Sequence, residues 1–220
     1  MKRFILRLFS MTAGLFMFAV GVVLAIRANI GYAPWEVLHV GMSKTLGWSI
    51  GFASIAAGMV ILLVVTILKE KFGLGTISCI VLTGIFIDVI INADIIPQAK
   101  NFPVGVLMLV AGLFVLSFGT FFYMSSAFGA GPRDNLMVAL RRKTKLPVGV
   151  CRSAIEFAAA VGGWFMGGML GAGTLISVFG LGFCIQVTFK LLKFDPTAVK
   201  HETLADTYAF LFGKKTGEKY

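Results

Sequence analysis

The sequence predicts an all-α polytopic membrane protein. Its six transmembrane helices form two inverted three-helix repeats, each with a short re-entrant or interfacial helix after its first span. Three observations predict this. Hydrophobic residues make up 58% of the 220 and charged residues only 14%, against roughly 45 to 50% and about 25% in soluble domains. Apolar stretches recur at a length that crosses a hydrocarbon core, which takes about 20 residues at 1.5 Å rise each. The hexapeptide GYAPWE at 31–36 returns as GAGPRD at 129–134, both reading Gly-x-x-Pro-x-carboxylate.

The elements follow in chain order. The first span, 9–26, comes after Lys2, Arg3 and Arg7; it is too long for a signal-peptide core and no small-residue cleavage site follows it, so it stays as a helix. At 31–36 glycine gives the chain freedom to turn, and proline is preset for the first helical position, where its missing N–H costs nothing. A short helix over 34–46 results, with Glu36 in its first turn near the positive end of the helix dipole. Spans 50–68 and 74–92 complete the first repeat. The second runs through a span at 103–125, a short helix at 132–142 with Asp134 in its first turn, and spans at 148–170 and 174–189. The transmembrane domain therefore covers 1–190, with repeat one at 9–91 and repeat two at 107–189. A cytoplasmic amphipathic tail, 191–220, opens with a cap at Asp195 and a helix from Pro196, its apolar face formed by Val199, Leu204, Tyr208 and Leu211.

Shifting the chain by 98 positions brings the copies into register without a gap. Over 9–91 there are 17 identities in 83 positions, including seven glycines. Three spans per copy is an odd number, so the second copy enters the bilayer from the opposite side, the plan of many secondary transporters whose halves rock around a midplane site. Cation placement agrees: with the N-terminus inside, 16 of the 20 Lys and Arg residues fall on inside segments, which puts both termini in the cytoplasm. The net charge of +10 is thus a topology signal and a contact for anionic lipids rather than a nucleic-acid footprint.

Re-entrant helices from the two hexapeptides would point their free N–H groups into the protein, because non-helical backbone at depth is tolerated only where it is buried or lines a cavity. Interfacial helices with Trp35 and Trp48 as belt residues are the alternative. The substrate-binding candidates are Gly31, Pro34, Trp35 and Glu36, with Gly129, Pro132, Arg133 and Asp134. Arg152 and Glu156 join them, four apart on one helical face, where they form either a structural pair or a coupled charge. Proton-coupling candidates are Glu36, Asp134, Glu156 and Asp88, the last aligned with Gln186. His39 shares a helix face with Glu36. Gly14, Gly21, Gly112 and Gly119 recur at intervals of seven and suit close helix packing. Cys79, Cys151 and Cys184 lie in predicted helices without metal or disulfide spacing, and no nucleophile or metalloenzyme motif is present. The expectation is no enzyme, no cofactor and no metal site.

The run RANIGYAPWEVLHVGMSKTLGWSIG, with GAGPRDNLMVALRRKTKLPVGVCRSAIE and GAGTLI, resembles the YczE-like branch of the bacterial YczE/YyaS/YitT membrane protein family. That resemblance implies a multi-pass protein of the bacterial cytoplasmic (inner) membrane. The reading that follows is a small secondary carrier moving a small polar or anionic solute by alternating access, alone or as a homodimer. A membrane scaffold that recruits a partner through 141–145 and the tail is the alternative, and it predicts no central cavity.

Overall fold

The computed structural model describes residues 2–195, 199 and 202–203. Among them the chain forms α1 (Lys2–Arg27), α2 (Pro34–Leu46), α3 (Ile50–Ile67), α4 (Leu74–Asn92), α5 (Phe102–Ser125), α6 (Pro132–Thr144), α7 (Val148–Phe165) and α8 (Ala172–Leu191), with no strand. Five of these, α1, α3, α4, α5 and α8, are long and apolar enough to cross a membrane. The chain is a polytopic helical membrane protein. Six such helices were expected, and the difference lies in α7. Arg152 and Glu156 dilute its apolarity. It also stops short of the predicted 170, because the chain turns at Met166 and Gly167, the latter at φ +84°. That turn is held by α2: Thr45 Oγ1 donates to the Met166 carbonyl at 2.8 Å and Lys44 Nζ to the Gly167 carbonyl at 3.1 Å. The tail helix expected from Pro196 lies outside the described residues.

Local chemistry explains the helix ends. Pro34 and Pro132 open α2 and α6, and left-handed residues close them, Gly47 at φ +71° and Lys145 at φ +61°. Ser49 caps α3 by accepting the Phe52 N–H, and Asn101 caps α5 by accepting that of Val104; such caps are each worth about 1 kcal/mol. α4 and α8 start at Gly73 and Gly171, whose N–H groups donate to the hydroxyls of Thr76 and Thr174 at 3.3 and 3.1 Å.

These features repeat at the interval of 98 residues seen in the sequence. Positive φ occurs at Asn29 and Ala127, Gly31 and Gly129, Gly47 and Lys145, and Lys69 and Gly167. The two halves also exchange matching bonds: the Gly75 N–H donates to the Phe128 carbonyl and the Gly173 N–H to the Ile30 carbonyl, each at 2.8 Å.

α1 and α5 form the main contact between the halves. A Cβ on Gly14 would meet the Gly119 carbonyl oxygen at 2.9 Å, and one on Gly21 that of Gly112 at 2.7 Å. The order is reversed, so the helices cross antiparallel. Lipid tails are as apolar as leucine, so van der Waals packing through small residues holds such a crossing. The short helices are exchanged between halves, α2 packing on α7 and α6 on α3. Arg142 at the end of α6 reaches Glu70 beyond α3 at 3.0 Å, which mirrors the hold of Lys44 on Gly167. The likeness fails at one place: α3 packs along α4, whereas α7 and α8 scarcely touch.

Candidate functional site

The exchange of short helices brings the two hexapeptides to one cavity of about 830 Å³. Pro34, Trp35 and Glu36 line it from α2, Pro132, Arg133 and Asp134 from α6, and Arg152 and Glu156 from α7. Neither short helix has a side-chain cap from its N-cap residue, and each opens at the cavity wall. Gly31 and Gly129 are corners behind the wall. Both sit at positive φ, and a Cβ on either would run into Gly171 or Gly73 respectively. Asp88 is elsewhere: its carboxylate accepts the Ser49 hydroxyl at 2.5 Å and the Gly51 N–H at 2.7 Å, tying α4 to the start of α3.

Trp35 and Arg133 occupy the same place in the two hexapeptides, and they meet. The Arg133 guanidinium lies 4.4 Å from the centre of the Trp35 ring, a cation–π contact worth about 2 kcal/mol when desolvated. Glu36, Asp134 and Glu156 are all within electrostatic reach of this cation. Glu36 is buried, 5% exposed, and its carboxylate is satisfied in part by its own backbone N–H. Arg152 Nε donates to Glu156 Oε1 at 3.1 Å, with the arginine half exposed. Exposed pairs of this kind contribute little to stability, so this pair matters more for where it places charge on the cavity wall.

Sequence reasoning set His39 aside and missed several polar groups. His39 is 2% exposed and its Nδ1 has no hydrogen-bond partner; Ser177, 1% exposed, has an unpartnered Oγ. Both line the cavity, as do Cys79, Thr83 and Tyr123. Buried polar groups are ordinarily satisfied, and with Thr83 Oγ1 this cavity has three orphaned atoms on its lining. The sequence held one signal, because Ser177 is the 98-residue equivalent of Cys79. Chemically the cavity offers a stacked guanidinium, three carboxylates, an imidazole, hydroxyls and helix N-termini within mainly apolar walls. Such walls with a few placed polar groups are typical of small-molecule sites. Among the described residues no three His, Cys, Asp or Glu side chains gather to hold a metal ion.

Comparison with known proteins gives a family and relatives described as uncharacterized. A family model described as "Family of unknown function (DUF6198)" matches residues 5–190. An uncharacterized protein of Haemophilus influenzae is 30% identical over 77% of this chain and 77% of its own length. The Bacillus subtilis "Uncharacterized membrane protein YczE" is 30% identical over 88% of this chain and 90% of its own. The same organism's "Uncharacterized protein YyaS" is 26% identical over 82% and 90%. The YczE and YyaS relatives bear out the YczE/YyaS resemblance read from the runs around both hexapeptides and from GAGTLI. No solved structure matches the chain.

Proposed function

The chain belongs to the DUF6198 family, and on that footing we propose that it is a small secondary carrier that moves a small polar or anionic solute by alternating access. One observation carries the reading: the starts of two equivalent helices, one from each half, converge on a single large cavity. A scaffold has no use for such a space. In this reading α7 is the sixth crossing, and its charged pair faces the cavity rather than lipid, which accounts for its weaker apolarity. The two halves are inverted repeats, an arrangement supported by the antiparallel α1–α5 crossing and the bonds repeated at 98 residues. Cation distribution supports a reading with both termini in the cytoplasm of a bacterial cell and the exposed basic run 141–145 against anionic headgroups.

Arg133 and the first-turn N–H groups of α2 and α6 hold the polar or anionic part of the solute. Glu36, Asp134 and Glu156 compensate the guanidinium when the cavity is empty and are the groups available to carry a coupled proton. The test is uptake of candidate solutes into proteoliposomes, chosen by ligand-induced thermal shift. Arg133→Ala and Glu156→Gln are expected to reduce uptake at least tenfold while the melting transition stays cooperative; wild-type uptake in both variants removes the assignment.

A further inference from the structure

The seam between α3 and α4 is closed by four residues. A Cβ on Gly51 would collide with the Gly84 carbonyl and the Asp88 carboxylate, and one on Gly84 with Ile55 and the Gly51 carbonyl. Asp88 locks the seam by accepting from the Gly51 N–H and the Ser49 hydroxyl. Each of these residues has an equivalent 98 positions on: Gly149 for Gly51, Gly182 for Gly84, Gln186 for Asp88 and Pro147 for Ser49. There the seam is open. A Cβ on Gly149 or on Gly182 would have nothing within 4 Å, and Gln186 is exposed. Both flanking helices line the cavity, through Ile155 and Glu156 on one side and Val178, Gly182 and Ile185 on the other.

We propose that α7 and α8 are a gate held open in this structure. The gate closes by seating Gly149 on Gly182, with the Gln186 side-chain oxygen accepting the Gly149 N–H, while the α3–α4 seam parts. The inference rests on the alternating-access reading above and names the moving contact. Glycine is unfavourable inside a helix unless backbone must approach closely, and Gly182 serves no close approach in the open state. α7 begins at Pro147 without a side-chain cap, so its first N–H groups still lack the acceptor that Asp88 gives α3. The substitutions also set the bias. A neutral amide accepts a weaker bond than a carboxylate and Pro147 has no hydroxyl to offer, so the α7–α8 seam is the more easily opened of the two. With both termini in the cytoplasm, this open state faces inward.

Two cysteine pairs in the full-length chain test this in liposomes, with Cys79, Cys151 and Cys184 replaced by alanine. Ser49→Cys with Asp88→Cys reports the closed seam, and Pro147→Cys with Gln186→Cys reports the seam that must close. Under mild oxidation both pairs are expected to cross-link, the second more slowly, and Gly182→Leu is expected to slow the second at least tenfold while leaving the first. A second pair that never links while the first does, failure of both, or indifference to Gly182→Leu overturns the gate. Spin labels at Val150→Cys and Phe183→Cys, which leave the capping groups intact, give a second measurement: a long and a short distance are expected, and a single long one overturns the proposal. None of this requires a transported solute. Cross-linking without uptake therefore leaves the gate standing and removes the carrier reading alone.

Discussion

Replacing Gly21 by alanine tests the crossing on which the two halves meet. The added Cβ lies 2.6 Å from the Leu116 backbone nitrogen and 2.7 Å from the Gly112 carbonyl oxygen, where ordinary contact begins at 3.4 Å. The helices must therefore separate by about 0.8 Å, the difference between 3.4 and 2.6 Å, and no flexible side chain is there to absorb it. Overpacking of this kind costs about 1–3 kcal/mol, and contact with backbone on both sides places Gly21→Ala toward the upper value. Alanine also gains up to about 1 kcal/mol of helix propensity, which masks part of the cost. Gly162→Ala in α7 isolates the difference: it gains the same propensity, and its Cβ meets only Leu38 Cδ1 at 3.9 Å. Thermal unfolding in detergent is expected to place Gly21→Ala below Gly162→Ala by about 2–4 °C for each kcal/mol. Adding Gly112→Ala to Gly21→Ala should cost less than the sum of the two, since one separation of the helices relieves both clashes. A Gly21→Ala protein that melts at or above Gly162→Ala refutes the close crossing.

Two further outcomes separate local roles. Thr76 donates to the Ala130 carbonyl at 2.7 Å and accepts from the Gly73 N–H and Asn135 Nδ2, whereas among the described residues the Thr174 hydroxyl accepts only from the Gly171 N–H; at about 1 kcal/mol per bond, Thr76→Val should destabilise about 2–3 kcal/mol and Thr174→Val about 1, and equal losses in chemical denaturation would contradict the asymmetry. With Trp48→Phe and Trp164→Phe leaving Trp35 as the only tryptophan, Arg133→Met should shift its emission and cost about 1–2 kcal/mol, with Arg133→Lys between because it keeps the charge but not the planar stack; unchanged emission in both would remove the contact.

Much of this arrangement was legible in the sequence because identities recurring at an interval of 98 residues are marks that composition alone does not leave. The two Pro-led helices, their bounds to within two residues, and the glycines at the α1–α5 crossing all followed from one shift of the chain against itself. Convergence of Pro34, Trp35, Glu36, Pro132, Arg133 and Asp134 on one space was foreshadowed by their spacing. What was not legible required knowing which helix packs on which. Nothing in the residues of α2 says that it lies on α7, and only that exchange sets Trp35 beneath Arg133 and buries His39. Asp88 was read as a pathway residue because its charge stood out within a span, yet its carboxylate serves the start of α3, a contact set by tertiary packing. Gly31 and Gly129 were counted with the solute contacts because they belong to the motif, but motif membership does not distinguish a corner from a wall. The charged pair is why the sixth span at 148–170 is less apolar than the other five: apolar residues flank Arg152 and Glu156 on both sides, but α7 ends at Phe165.

The exchange of short helices has a consequence for how the protein is made. When synthesis has passed α4, Trp35, Glu36 and His39 have been made, but α6 and α7, which share the cavity with them, have yet to emerge. A nascent chain halted there carries a buried acid without its cation and a groove without its floor. The first half thus lacks the partners of α2 until the second arrives, and separately expressed halves are expected to accumulate only when they are made together.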